Sequence, residues 1–447
     1  MSSELDELRW SLAGPVLTPA DAEYDAARRS YNALVDRRPA VIARCLGAAD
    51  VVTAFDFARA HELEVAVRGG GHNPAGHCVC DGGLVIDLSQ VRTVEVDEDA
   101  RTARAEGGST WLDFDTATQA FGLVTPGGVV GSTGVCGLTL GGGIGHLTAQ
   151  HGLTCDNLIG GELVTPDGSV VQAGPENEEL LWALRGGGGN FGVATRLDFR
   201  LHPLDGVVGG MLTYGGSDVR EAFRRFRDVA ADAGRDLSCQ AGLSLDESLA
   251  SVLWVAPCYT GSNGDPEALR ALRSAPGLRE DAVRAHTFAD QQRLFDSPYG
   301  ENRHYWKGHF VHELPDELID ELLERLQGLG RPPGGVLIES LHGAPKDTDG
   351  SNGVVGFRRA AFNVSVMATW QDPAHDAESI AWARETAAAI EPWSFSGGGY
   401  VNYMQADEPV ERVRAAFGDE AFDRLRALKR RYDPDNVLHR NQNIPPL

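Results

Sequence analysis

The residues with the clearest chemical potential share one turn, Arg68-Gly69-Gly70-Gly71-His72-Asn73-Pro74-Ala75-Gly76, with a histidine at its tip. The apolar run before it, Leu63 to Val67, reads as a strand. Three glycines then let the backbone approach a bulky anionic ligand, with amide hydrogens turned toward it. Two further glycine segments follow, Gly141-Gly142-Gly143-Ile144-Gly145 and Gly186-Gly187-Gly188-Gly189-Asn190-Phe191-Gly192. Loops of this kind recurring in one chain imply a large diphosphate-containing cofactor held by backbone.

Gly187, Gly189 and Gly192 also match the dinucleotide expression G-x-G-x-x-G. That fingerprint needs a strand before it and a helix after. Here the pattern predicts a helix over 178–184 and a strand over 193–201, the reverse order, so NAD binding is not expected. Cys78-Val79-Cys80 lies near His72 and His77, but its spacing fits no standard zinc pattern. No metal is expected, and a hydrolase built on His72, His77, His146 and His151 is the remotest alternative. The seven cysteines are odd in number and irregular in spacing, which argues against a secreted disulfide framework.

The elements that position these loops follow from pattern. Residues 40–62 give a buried strand and then a helix over 50–61. Residues 83–88 and 93–96 are short strands. A helix over 110–121 starts at a Ser109-Thr110 cap. Residues 162–165 and 169–171 flank Pro166-Asp167-Gly168, a hairpin turn. From about residue 206 the pattern changes to long strands, 251–259, 335–342 and 362–370. Amphipathic helices over 218–233, 315–329 and 377–390 separate them. This reads as an α+β layer, an antiparallel sheet with helices on one face. A last helix, 419–432, is stopped by Asp433-Pro434.

A chain of 447 residues suits two domains. No apolar stretch approaches the roughly 20 residues that cross a bilayer. The acidic start Met1 to Leu8 lacks an apolar signal core, and Arg28-Arg29 stands without one, so a cytoplasmic protein is expected. The net charge of −24 argues against nucleic acid and anionic membrane as partners. Only Lys307, Lys346 and Lys429 are lysines, a bias that fits either a salt-rich cytoplasm or arginine-rich codon usage. Nothing in the sequence fixes the oligomeric state.

The segments Val67 to His72, Gly83 to Ser89, Gly152 to Asn157, Arg185 to Val193, Tyr400 to Tyr403 and Tyr432 to Asn436 together carry a resemblance. They span about residue 15 to the C-terminus. The chain resembles the berberine-bridge-enzyme-like FAD-linked oxidases, within the vanillyl-alcohol-oxidase type of flavoprotein. The resemblance implies a two-domain fold of that type. Residues 1–205 would bind FAD, 206–395 would form an antiparallel-sheet substrate domain, and 396–447 would return to the FAD domain.

The resemblance also implies roles for residues. The family histidine matching His72 is bonded to the 8-methyl carbon of the flavin. Contacts to FAD are implied for Arg68, Gly69, Gly70, Gly71, Asn73, Gly76, His77, Ser132, Gly134, Gly137, Leu138, Gly142, Gly145, Asn157, Gly188, Asn190, Val193, Tyr403, Asn441 and Asn443. Many members have a second link, through a cysteine. Counting back from Gly141 in the family register puts that position at Val130, which has no nucleophile, and Cys136 falls where those members carry glycine. A single covalent link is therefore expected, as in singly linked bacterial members. Thr133 matches the position near the flavin face where dioxygen reacts, and its small size favours an oxidase.

The catalytic candidates are Tyr400, Tyr403 and Glu339. A phenol with a lowered pKa can take a hydroxyl proton as hydride leaves. Residues i and i+3 cannot share a strand face, so one tyrosine is expected to meet substrate and the other the cofactor or core. On its strand Glu339 shares a face with Leu337 and Leu341, opposite Ser340 and His342. Either face can be the one that meets the pocket. Some relatives carry an inward lysine and glutamates on this strand, and Ile338, Ser340 and His342 sit at the best-matching places. Lys307, Arg358, Arg359, Asn363, Ser365 and Thr369 are further pocket candidates, with solvated or exposed positions as the alternative. The expected activity is oxidation of a small molecule (an alcohol, sugar or amine) with electrons passing to dioxygen and release of hydrogen peroxide. A dehydrogenase with another acceptor and a non-catalytic FAD-binding protein are the alternatives.

Overall fold

The computed structural model describes residues 2–261, 266–327, 334–348, 350–395 and 398–447. Three apolar runs, Val41–Arg44, Leu84–Asp87 and Val65–Arg68, form parallel strands with Leu84–Asp87 between the other two. The short strand Val16–Leu17 adds an antiparallel edge. Such runs need cover on both faces. The helix Ala48–Ala60 covers one face through Val51, Ala54, Phe55 and Ala58. Tyr24, Ala27, Cys78, Val79 and Cys80 pack on the other. Strand Val65–Arg68 runs straight into Gly69–His72, so the histidine loop leaves the carboxyl end of a parallel strand, where open sheets place ligands.

A second, antiparallel sheet has the order Val94–Asp97, Thr102–Glu106, Val193–Arg200, Leu158–Val164, Val170–Ala173. The Pro166-Asp167-Gly168 hairpin joins its last two strands, closed by Thr165 N–H donating to Ser169 O at 2.9 Å. The helix Trp111–Gln119 starts at Thr110, whose side chain and that of Asp113 form a capping box. Helix Glu178–Leu184 precedes the third glycine segment and strand Val193–Arg200 follows it, the order that excludes a dinucleotide turn.

The largest sheet has nine strands among the described residues. Its central order is Ser251–Tyr259, Leu237–Leu245, Gly334–Ser340, Phe362–Trp370, Arg303–Val311, all antiparallel. Helices Val219–Asp232, Asp316–Leu326 and Asp376–Ile390 bury their apolar sides against one face. The helix expected over 315–329 ends at Leu326; residues 328 and 329 lie outside the described residues. Strands Leu237–Leu245 and Arg303–Val311 and the helix Val410–Phe417 are additions to the elements expected from pattern.

The tail helix Asp419–Tyr432 buries Phe422, Leu425, Leu428 and Tyr432 in the core of the second sheet. Lys429 and Asp433 are both fully buried and paired at 2.6 Å. The same ammonium donates to Asn190 O at 3.0 Å and Leu438 O at 2.9 Å, which ties the tail to the third glycine loop. Removing one member of a buried ion pair strands the other and costs about 3–5 kcal/mol. Lys429→Met is therefore expected to lower the urea midpoint sharply, and an unchanged midpoint would show the pair to be dispensable. No helix among the described residues is long and apolar enough to cross a membrane.

Candidate active site

The loop histidine is half-buried, with its open edge on a large cavity. Its Nε2 lies 2.7 Å from Ser132 Oγ and its Nδ1 3.4 Å from Thr133 Oγ1. Tyr31 stacks on the imidazole at 4.1 Å between ring centres, and His304 of the large sheet stacks on the far side of Tyr31 at 4.7 Å. Tyr299 closes the edge, its hydroxyl donating to the backbone oxygens of Gly70 and Gly71. Burial first, then His304, pulls the pKa of His72 down to about 3, so at neutral pH the ring is uncharged and keeps a nucleophilic lone pair.

The cavity holds about 560 Å³ and runs from the three glycine loops to the uncovered face of the large sheet. Its size falls within the usual range for ligand and cofactor sites, roughly 300–1,000 Å³. Glycine is required where its backbones cross. A Cβ on Gly134 would lie 2.6 Å from Gly70 N, and one on Gly70 would overlap Gly134. Gly188 has φ +74° and turns its loop back, with its N–H donating to Leu140 O at 2.8 Å. A Cβ on Gly137 or Gly189 would meet nothing within 4 Å, so those glycines open on space. Buried polar atoms without a protein partner ring the cavity: His77 Nε2, Arg440 Nε, Asn441 Oδ1, Trp306 Nε1 and the whole amide of Gln240. Bare glycine backbone at one end and unpaired donors and acceptors at the rim fit a large, polar, partly planar cofactor. Gly70→Ala is expected to break the crossing with Gly134, and the cofactor-to-protein absorbance ratio after desalting should fall by more than half. A ratio equal to the parent's would remove the glycine crossing from the cofactor site.

The tyrosine segment is a turn closed by Tyr403 N–H donating to Tyr400 O at 2.8 Å, not a strand. Tyr403 lines the cavity. Tyr400 lies behind the wall, where its oxygen accepts from Gly143 N–H at 3.0 Å, Ile144 N–H at 3.2 Å and Asn402 Nδ2 at 2.9 Å. Tyr400 therefore anchors the second glycine loop. Tyr403 Oη donates to Glu339 Oε1 at 3.4 Å, and Asn363 Nδ2 donates to Glu339 Oε2 at 2.7 Å. Burial first and then the Glu339 charge push both phenols up, so neither is the acidified phenol expected from sequence. Burial raises Glu339 to about 7, which makes it the group poised to exchange a proton near neutral pH.

The structure sorts the residues singled out in the sequence. Gly69, Gly70, Gly71, His72, Asn73, His77, Gly134, Gly137, Leu138, Val193, Tyr403 and Asn441 line the cavity. Arg68, Gly76, Ser132, Gly142, Gly145, Asn157, Asn190, Asn443, Tyr400 and Glu339 do not. Most of these act one layer back. Arg68 donates to Ala27 O and Arg29 O and holds the N-terminal segment under the loop. Gly76 packs on Val35, Gly145 crosses Gly127, and Gly142 backs onto Val355 and Tyr400. Asn157 donates to His151 O and Leu153 O. Asn190 donates to Gly187 O and accepts from Ile444 N–H. Asn443 Oδ1 is buried without a partner outside the cavity wall.

The face of the large sheet is also settled. Leu337 lines the cavity, whereas Ile338 enters the core against the helices. Ser340 donates to Cys239 O and His342 lies 2.9 Å from Leu237 O, and none of Ile338, Ser340 and His342 lines the cavity, so of the two faces left open it is the one carrying Leu337 and Glu339 that turns toward it. Lys307 pairs with Glu408 at 2.7 Å, Arg358 with Asp156, and Arg359 is exposed. Asn363 and Ser365 are buried on the Glu339 side, and Thr369 lines the cavity. Val130 and Cys136 both line it; burial pushes the Cys136 thiol up to about 12, leaving almost no thiolate. Tyr31, Gln240, Trp254, Phe295, Trp306 and Arg440 line it as well and were not anticipated.

Comparison with known proteins agrees with this arrangement. A family model described as an FAD binding domain matches residues 39–174, and one described as berberine and berberine like matches residues 399–445. The chain is 30% identical to (R)-6-hydroxynicotine oxidase of Paenarthrobacter nicotinovorans, covering 98% of this chain and 97% of that one. It is 30% identical to an FAD-linked oxidoreductase of Dictyostelium discoideum over 99% and 97% of the two chains. The solved structure of 6-hydroxy-D-nicotine oxidase from Arthrobacter nicotinovorans superposes with a TM-score of 0.88 at 29% identity, covering 98% and 99%. Berberine bridge enzyme from Eschscholzia californica shares the fold, with a TM-score of 0.89 at 20% identity over 99% of each chain.

Proposed function

The chain belongs to the berberine-bridge-type FAD-linked oxidoreductases, and from that premise we propose that it is an oxidase whose FAD is held by one covalent bond, from His72. It is an FAD-linked enzyme of the vanillyl-alcohol-oxidase fold. The observation that carries the proposal is the neutral imidazole of His72 on the cavity wall, steadied by Ser132 and Tyr31. Bound FAD supplies a two-electron acceptor that takes hydride from substrate and returns the electrons to dioxygen as hydrogen peroxide. Residues 1–205 with the tail 396–447 form the cofactor-binding part in this reading, and 206–395 the substrate part.

The side chains divide the remaining work. The bare backbone of the glycine loops on the cavity wall would hold the cofactor's anionic end. His77, Asn441 and Arg440 offer unpaired polar atoms to its polar edges. The buried Cys136 thiol stays protonated near neutral pH and Val130 has no nucleophile, which supports a single link. Tyr403 faces substrate and shares a proton with Glu339, so a substrate hydroxyl can pass its proton to Tyr403 Oη as the tyrosyl proton moves to Glu339. Thr133 keeps a short side chain beside His72, and its size supports access of dioxygen. The substrate is an alcohol, a sugar or an amine; the amine follows the nicotine oxidase relative.

The oxidase reading is tested without knowing the substrate. Photoreduced holoenzyme mixed with air-saturated buffer should reoxidise within seconds and release one peroxide per flavin. Reoxidation over many minutes, with rapid turnover by a quinone, would make the protein a dehydrogenase.

A further inference from the structure

We propose that the cavity beneath the large sheet takes a neutral aromatic ligand, whose single hydrogen-bonding end is read by Gln240; this rests on the oxidase reading above. Cross-strand register sets Gln240, Glu339 and Asn363 side by side on three neighbouring strands. All three are buried, Gln240 to 4% exposure. Asn363 and Tyr403 occupy the two oxygens of Glu339. Gln240 lines the cavity, yet neither its Oε1 nor its Nε2 has a partner. A buried amide left unpaired forfeits the hydrogen bonds it made with water and destabilises the fold. Its retention here marks a place where an occupant supplies the missing hydrogen bonds.

The next row of the sheet is apolar. Gly242 stands between Trp254 and Leu337 in the register, and a Cβ on Gly242 would overlap the indole of Trp254. The glycine lets that indole lie flat across the sheet. Phe295 meets it at 5.1 Å between ring centres. The result is a slot with aromatic walls ending at one primary amide beside Tyr403. An aromatic ring fits the walls, and a hydroxyl or carbonyl fits the amide, which offers two donors and one acceptor.

Two other classes fit less well. No aspartate or glutamate is among the described residues that line the cavity, so a cationic amine meets no carboxylate of its own. A sugar presents a hydroxyl at nearly every carbon, whereas among the described residues the fully buried unpaired polar atoms on the sheet side of the wall are the Gln240 amide and Trp306 Nε1. Gln240 thus acts as a specificity-determining residue for the reaction, holding the polar end of the substrate next to the proton relay.

Three probes that do not turn over separate the classes: benzamide, benzyltrimethylammonium and methyl glucoside. Each is titrated into purified holoenzyme, wild type and Gln240→Met, and binding is read from the change in flavin absorbance. Benzamide should bind most tightly, and Gln240→Met should weaken it about tenfold, the loss of one hydrogen bond. Trp254→Leu, at the other end of the slot, should weaken it as well. Tighter binding of the cation or the glycoside, no binding of benzamide at millimolar concentration, or unchanged affinity in Gln240→Met would overturn the proposal. Flavin content is measured first. A preparation without flavin would instead sink the oxidase reading, and thermal shift with the same probes would still test the slot.

Discussion

His72→Ala protein should lose all flavin fluorescence from its band on an acid-denatured gel while still folding and still carrying loosely held FAD. The glycine crossing at Gly70 and Gly134 and the rim atoms of Asn441 and Arg440 do not depend on the imidazole. A shift from permanent to exchangeable flavin is therefore the expected change, visible as colour removed by desalting. Because the pKa of His72 lies near 3, the ring is neutral from pH 5 to 9, and covalent labelling of wild-type apoprotein should vary little across that range. Ser132→Ala removes the partner of Nε2 and should slow labelling without preventing it. Cys136→Ala should leave labelling unchanged, since that thiol stays protonated. Fluorescence that survives in His72→Ala and disappears in Cys136→Ala would transfer the link to the cysteine and overturn the register that places Val130 there.

The histidine loop was legible because its signal is local. A strand of β-branched residues, a glycine run and one histidine occupy adjacent positions, and the parallel sheet Val41–Arg44, Leu84–Asp87, Val65–Arg68 needs no distant information to form. The helix Glu178–Leu184 and the hairpin at Asp167 were legible for the same reason. Of the two tyrosines, one was expected at the substrate and the other at the cofactor or core; that Tyr400 is the core one was not legible, because its partners, the N–H groups of Gly143 and Ile144, are more than 250 residues away in sequence, and a phenol that anchors a loop looks identical on paper to one that faces substrate. Arg68 and Asn190 stand one layer behind the cavity wall for a like reason: their side chains donate to backbone carbonyls, which no motif displays. Gln240 was missed although a signal existed. Leu237, Cys239, Ala241 and Leu243 alternate with Ser238, Gln240, Gly242 and Ser244, the period-two pattern of a strand with one apolar face. Its polar face points not to solvent but into the cavity. Sequence periodicity separates two faces and does not say which of them meets a ligand.

Tyr403→Phe should lower the rate of anaerobic flavin bleaching by an oxidisable alcohol by about 10²–10⁴-fold, the usual worth of a positioned proton acceptor. The loss should appear in the bleaching rate rather than in affinity for benzamide, which Gln240 governs. Glu339 then sets the pH dependence. Below its pKa of about 7 the carboxyl holds its own proton and cannot receive the one passed from Tyr403. The bleaching rate should therefore rise through pH 7 and level off above it, and Glu339→Gln should flatten that rise. The same shift governs stability, with a sign that can be checked independently. The folded pKa is raised above the ordinary value of 4.5, so the carboxyl contributes stability fully at pH below 4.5 and loses it as pH climbs through 7. The shift corresponds to about 3 kcal/mol at alkaline pH. Glu339→Gln should unfold at a higher temperature than the parent at pH 8 and at nearly the same temperature near pH 4. A variant that is stabilised at pH 8 but keeps the parent's rising bleaching profile would show that Glu339 is only a buried acid, and the proton would have to leave Tyr403 by another route.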